Sequence, residues 1–248
     1  MPDLSEAAGD AARRRLTLLL RAAVERGDFA EARLPSDEEL AESYQLPRAV
    51  VRDALAALAE MGVVTRVRGT GTRAGDHHGA VFNLLSFQGT SGVPEYRLHP
   101  RVVERTVVRT PALVAARLPT AGDTVLRVEY LSMPGDDVDG ISTGYFVLPK
   151  SEALRDAEFG ENLYTFLSAG GLTVSATDFV IGAIDADQYT ALRLRAKPSS
   201  ALLFVEQTTF DEAGDPLSFS LAALRGDRLA LFSRARSTEP ESRPSIAG

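Results

Sequence analysis

Within the stretch Leu34–Thr72, LPSDEELAESYQLPRAVVRDALAALAEMGVVTRVRGTGT, three local signals follow one another at short range. Ser36 is placed to cap a helix, with Glu39 three residues on to close a capping box. That helix runs to about Ser43 and buries Leu40 and Ala41. After the turn Tyr44-Gln45-Leu46, a longer helix starts near Pro47, whose missing N–H is harmless in a first turn. Its apolar stripe is Val50, Val51, Leu55, Leu58 and Ala59, which leaves Arg48, Ala49 and Arg52 on the outward N-terminal face. Gly62 ends the helix. Val63–Val67 alternates as a strand does, and Arg68-Gly69-Thr70-Gly71-Thr72 forms a tight turn whose glycines permit close backbone approach.

A capped helix, a second helix with an exposed basic start, and a basic Gly-rich hairpin are the parts of a winged helix-turn-helix. A bare helix-turn-helix pattern is weak; with capping box and wing at these distances it is specific. Net charge is -7, unusual for a chain that binds nucleic acid. From Tyr44 to Gly75, however, Arg48, Arg52, Arg66, Arg68 and Arg73 face only Asp53 and Glu60. Phosphate attraction is local, so distribution counts for more than the total.

These residues resemble the DNA-binding domain of the GntR family of bacterial transcription regulators. LPSDEELA at Leu34–Ala41, Arg48-Ala49-Val50-Val51-Arg52-Asp53-Ala54-Leu55, and Arg68–Thr72 carry the likeness. The resemblance implies that Arg48 and Arg52 contact DNA and that Gly69 brings the wing to the minor groove. With Ser36, Ala49, Val50, Arg66, Arg68 and Gly71 these make the expected DNA-contacting set. Pro47 and Ala49-Val50 stand where the family favours hydroxyl residues, so base reading should lean on arginine and apolar contacts.

The rest of the chain divides by composition. Residues 1–10 are small, polar and acidic and are expected to be disordered, with a helix over Ala11–Arg26 on Leu16, Leu19, Leu20, Ala23 and Val24. The DNA-binding domain spans 11–75. Residues 76–92 read as a linker with an apolar island at Val81-Phe82-Leu84-Leu85. From 93 to 236 strands alternate with short helices: strands at Val102–Val108, Thr124–Met133, Ile141–Leu148 and Val174–Ile184, then a hairpin of Ala201–Asp211 and Leu217–Leu224. Residues 237–248 are Pro/Ser/Glu-rich and expected to be disordered. The fold class is therefore α+β, with an antiparallel sheet in the second domain.

That second half resembles the UTRA effector-binding domain of the HutC-like branch of GntR regulators, a chorismate-lyase-like fold. Leu126-Arg127-Val128, Tyr145–Pro149, Leu163-Tyr164, Thr208–Pro216 and Arg225-Gly226-Asp227-Arg228 carry this likeness. It implies a small molecule bound on the sheet. In members that bind sugar phosphates the family pattern places two arginines on one strand. Arg127 matches the first, whereas Glu129 occupies the second position, Gly144 the place of a carboxylate, Glu161-Asn162 that of serines, and Leu224 that of a tyrosine. Ser86 and Phe87 fit. The expected effector site is Ser86, Phe87, Arg127, Glu129, Tyr145, Asn162 and Tyr164, suited to a neutral, amphipathic or cationic metabolite more than to a phosphate. Arg127 and Glu129 are alternatively an ion pair on one strand face, and Arg225 and Asp227 are expected to fix the turn they occupy.

The absence of cysteine excludes disulfides and thiolate zinc sites. His77-His78 offers too few ligands for a metal, no nucleophile elbow or phosphate-binding Gly loop is present, and no cofactor is implied. No apolar run reaches the ~20 residues of a membrane span. The expected protein is a cytoplasmic homodimer, a repressor that binds double-stranded, pseudo-palindromic operator DNA under control of a small-molecule effector. The competing readings are a binding or enzymatic α+β protein with a vestigial DNA module, and a regulator controlled by a protein partner.

Overall fold

A computed structural model describes residues 4–67, 71–75, 80–83, 100–133 and 136–232. The N-terminal part is built from α1 (Leu4–Arg26), α2 (Asp37–Tyr44), α3 (Arg48–Glu60) and the hairpin of β1 (Val64–Val67) and β2 (Gly71–Ala74). α1 begins at Leu4, well before the expected Ala11: Ala7, Ala8, Ala11 and Ala12 are strong helix formers and extend the helix through Gly9. Leu16, Leu20 and Val24 of α1 pack with Leu40 of α2, with Val51, Ala54, Leu55 and Leu58 of α3, and with Val64. Leu19, expected inside, is half exposed. Ser36 closes the capping box as expected: its Oγ accepts from Glu39 N–H at 3.2 Å and its own N–H donates to Glu39 Oε2 at 2.7 Å. Gly62, at φ 74°, turns the chain out of α3 into β1.

The second part is a six-stranded antiparallel sheet. Its strands are β4 (Arg101–Arg109), β5 (Thr124–Ser132), β6 (Gly140–Val147), β7 (Ala176–Asp185), β8 (Ala201–Phe210) and β9 (Pro216–Arg225), in the order β4-β5-β6-β9-β8-β7. The β8–β9 hairpin is closed by Asp211, whose Oδ1 accepts from the N–H groups of Ala213 and Asp215, both at 2.9 Å. Ion pairing with Lys150 and these backbone donors hold the Asp211 carboxyl below its usual range. Short helices cover both faces. On one face, α5 (Leu163–Ala169) packs Phe166 against Phe146, Leu126 and Val128. On the other, α4 (Ala112–Ala115) packs on Val147 and Phe219, and α6 (Gln188–Arg193) on Leu131 and Leu202.

The linker expected at 76–92 contains a strand. β3 (Ala80–Asn83) pairs in parallel with β10 (Leu229–Phe232), joining segments about 150 residues apart. A parallel pairing at that separation leaves no turn signal in the sequence. The expected tail 237–248 lies outside the described residues.

Candidate DNA and effector sites

The outward N-terminal end of α3 carries Arg48, Ala49 and Arg52, all exposed, with Val50 half-buried beside them. The apolar stripe beneath is Val51, Ala54, Leu55 and Leu58, so Ala54 replaces the expected Val50 in the core. The arginines are not merely solvated. Arg66 of β1 donates to both carboxylate oxygens of Asp37, at 2.9 and 2.8 Å, and Arg52 Nε lies 4.0 Å from the same group. Arg48 pairs with Glu38. Asp37 thus links the first turn of α2 to both α3 and the wing strand. No local sequence signal marks these two carboxylates as partners of the arginines. Ser36 spends its acceptor on the cap, and its O–H remains free to donate to a phosphate oxygen. Gly71 opens β2 at φ 98°, whereas Arg68 and Gly69 lie outside the described residues.

Glu38 is an exposed anion on the surface expected to meet phosphate. Replacing Glu38 by Gln should raise DNA affinity by up to about fivefold, the range of exposed ion pairs. Fluorescence anisotropy at fixed salt measures this; an unchanged or weakened affinity would show that Glu38 does not compete.

In the second part, a cavity of about 70 Å³ sits between the sheet, the start of α5 and β10. Tyr130, Ser132, Ser142, Val205, Gln207 and Ala222 form its sheet wall, with Phe179 at the β7 end. Asn162, Leu163 and Tyr164 line it from α5, and Leu229 and Leu231 from β10. Tyr164 Oη lies 3.3 Å from Thr177 Oγ1 and accepts from Gln207 Nε2 at 3.1 Å. Burial pushes the Tyr130 and Tyr164 phenols up, against the opposing effect of side-chain hydrogen bonds with Ser142 for the first and with Thr177 and Gln207 for the second. Both therefore stay neutral, able to donate and accept.

Of the expected effector residues, Asn162 and Tyr164 line this cavity; Asn162 also caps α5, accepting from Thr165 N–H at 2.9 Å. Arg127, Glu129 and Tyr145 do not belong with them. Strand β5 alternates: Leu126, Val128 and Tyr130 face α5, so Arg127 and Glu129 face the opposite side. Tyr145 pairs across from Arg127 and shares that side. Arg127 bonds Glu104 on the neighbouring strand at 2.7 Å, which replaces the expected pair with Glu129. On a strand, neighbouring residues face opposite sides, so the positions next to Arg127 and Glu129 face the cavity side. Tyr130, Ser132 and Ser142 are the side chains the alternation presents to the cavity, and Gln207 meets them from β8. Ser86 and Phe87 lie outside the described residues. Among the described lining residues none is charged.

Arg225 and Asp227 fix the turn as expected. Arg225 Nε donates to Asp227 at 3.0 Å, and its backbone N–H to Asp139 O at 2.7 Å. Burial raises the Asp227 carboxyl, but the hydrogen bonds and charge of Arg225 outweigh it and leave the group below its usual range.

A basic recognition helix braced to a wing, joined to a sheet domain with an uncharged, hydrogen-bonding cavity, defines a ligand-responsive DNA-binding regulator. Residues 13–73 match the bacterial regulatory proteins of the gntR family, and residues 95–230 match the UTRA domain. The chain belongs to the GntR family and carries a UTRA domain, the combination that fits the HutC-like branch; it is a transcriptional regulator, not an enzyme. It is 25% identical to the "Uncharacterized HTH-type transcriptional regulator RB1450" of Rhizobium meliloti, over 86% of this chain and 90% of that one. To the HTH-type transcriptional regulator GgaR of Escherichia coli it is 26% identical, over 78% of each. PhnF from Mycobacterium smegmatis shares the fold, with a TM-score of 0.60 at 21% identity over 88% of this chain and 99% of that one. No helix among the described residues is long and apolar enough to cross a membrane.

Proposed function

We propose that this regulator is a cytoplasmic homodimeric repressor whose two α3 helices read the half-sites of a pseudo-palindromic operator about one helical turn apart. Arg48 and Arg52 supply base and phosphate contacts, with Ser36, Ala49, Val50 and Arg66 beside them and Arg68, Gly69 and Gly71 in the wing. Its effector is a neutral, amphipathic metabolite rather than a sugar phosphate. The observation that carries this reading is the cavity lining: phenol, hydroxyl and carboxamide groups over apolar walls, without a charged side chain among the described residues. A phosphate dianion there would lose its hydration without a cation to compensate. The free volume of about 70 Å³ is well below the roughly 300–1,000 Å³ of sites for drug-sized ligands, so binding must displace a wall.

A thermal-shift screen tests the ligand class: neutral polar metabolites should stabilise the chain, and a clear shift with a sugar phosphate at millimolar concentration would overturn it. Ala222 forms part of the cavity floor. Ala222→Phe should weaken effector binding by about 1–3 kcal/mol, the steric cost of overfilling a packed site, while leaving DNA affinity unchanged. Undiminished effector binding by this variant would move the site elsewhere.

A further inference from the structure

A recess of about 460 Å³ lies on the DNA-binding head, between α1 and the C-terminal end of α3. It falls within the roughly 300–1,000 Å³ of small-molecule sites, which the cavity of the sheet domain does not reach. Its floor is apolar: Ala11 and Leu18 of α1 face Ala57 and Met61 at the end of α3. Leu18 is 52% exposed and Met61 41%, so two large apolar side chains stand in water beside the same trough. Ala57 and Met61 lie roughly 13–20 Å along α3 from Arg48, at the end remote from the recognition surface.

The rim is basic. Arg13, Arg14 and Arg21 line the trough against one carboxylate, Asp10. Arg14, Leu18 and Arg21 recur at four- and three-residue spacing and share one face of α1, with the two arginine positions about 10 Å apart along the axis. Arg13 meets Asp10 at 3.4 Å, an exposed pair of little strength. Arg21 is held by Glu25 and donates to Gly226 O at 3.0 Å. No described residue pairs with Arg14. Solvated arginines need no apolar trough, and an apolar trough needs no arginines; only a ligand of both characters uses the two together.

We propose that the α1–α3 trough is a second ligand site, which takes an amphipathic anion. An alkyl or aryl body covers Leu18, Ala57 and Met61, and one carboxylate or sulfonate head sits between Arg14 and Arg21 in charge-assisted hydrogen bonds. The site is independent of the effector assigned to the sheet domain. It touches the same machinery at one point: a head group that takes Arg21 competes with Gly226 O for the guanidinium. A ligand in the trough therefore acts on the bond that joins the head to the turn at residues 225–228.

Titration of the full chain with 8-anilinonaphthalene-1-sulfonate, an aryl body with one anionic head, tests the site. Dye emission should rise and saturate at one dye per chain. Arg14→Ala should weaken binding about fivefold, the upper range for an exposed ion pair. Met61→Glu, which sets an anion in the floor, should abolish it, while both variants keep wild-type operator retention. Ala222→Phe, in the other cavity, should leave dye binding unchanged. Octanoate should displace the dye and octanol should not. Undiminished emission in Met61→Glu, absence of saturable binding, or equal displacement by octanol overturns the proposal. Should Met61→Glu fail to fold, Arg14→Ala decides, and wild-type affinity in that variant refutes the site. Phosphatidylglycerol vesicles should not cosediment with the chain; capture that Arg14→Ala abolishes would make the trough a membrane contact and overturn the free-ligand reading.

Discussion

Replacing Arg52 by Ala should lower affinity for the DNA upstream of the regulator's own gene by about 1–3 kcal/mol, roughly five- to 150-fold, with effector binding unchanged. Arg52 is exposed on the outward N-terminal face of α3, one turn beyond Arg48, and neither side chain contributes to the core beneath. Folding should therefore be indifferent to the change, and the loss should be a loss of contact. The loss has a signature beyond magnitude. If Arg52 reaches a base edge, discrimination against a mutated half-site falls; if it reaches only phosphate, affinity falls uniformly and the salt slope drops by about one. Gel retardation at two salt concentrations separates these outcomes, and unchanged retention would remove α3 from the interface. Asp37 gives the result a second reading. Its carboxylate holds Arg66 through two bonds and stands 4.0 Å from Arg52, so it positions the wing arginine relative to the recognition helix. Removing Arg52 leaves that brace in place, so the wing contact should survive.

The DNA-binding head was legible because its signals are local. The Ser36–Glu39 box, Pro47 at the start of α3 and Gly62 after it each specify a boundary within a few residues. The strands of the second domain were legible for the same reason, since alternation shows at short range. What escaped depends on distant partners. The β3–β10 pair joins Ala80–Asn83 to Leu229–Phe232 with no turn between them. The acids beside the arginines, Asp37 and Glu38, are placed by the tertiary approach of α2 to α3 and β1, which no periodicity reports. The expected effector residues divide by parity: Asn162 and Tyr164 line the cavity, whereas Arg127, Glu129 and Tyr145 lie on the opposite face of the sheet. Alternation tells that Arg127 and Glu129 share a face, but not which face carries the cavity. That is decided by Phe166, Leu163 and Leu167 of α5 burying themselves over Leu126, Val128 and Phe146. Once that face is known, Tyr130, Ser142 and Gln207 follow from the register alone.

Arg21→Ala should uncouple the two domains: operator affinity without effector and effector affinity without DNA stay at wild-type values, while the effector's influence on operator affinity falls from a typical five- to 150-fold to near unity. The turn at residues 225–228 connects two walls of the cavity, since β9 before it carries Ala222 and Leu224 and β10 after it carries Leu229 and Leu231. It is tightly tied to the sheet domain: Arg225 to Asp227 and to Asp139 O, Arg228 to Asp137 at 3.0 Å and Asp139 at 3.2 Å. It is also tied to the head. Arg21, on α1, donates to Gly226 O at 3.0 Å and is itself held by Glu25 at 2.6 Å. If the effector enters this cavity by displacing a wall, β10 is the wall least restrained, since it is paired only to the four-residue β3 among the described strands. Its displacement pulls on the turn, and the turn on α1, whose Leu16, Leu20 and Val24 belong to the core that carries α3. The link is a charge-assisted bond to a backbone carbonyl, so only the arginine can be removed. Arg21→Lys, which keeps a charged donor, should restore part of the coupling. By reciprocity the same factor must be lost whether effector or DNA is titrated first, so the two titrations check one another. A full effector response in Arg21→Ala would place the transmission elsewhere.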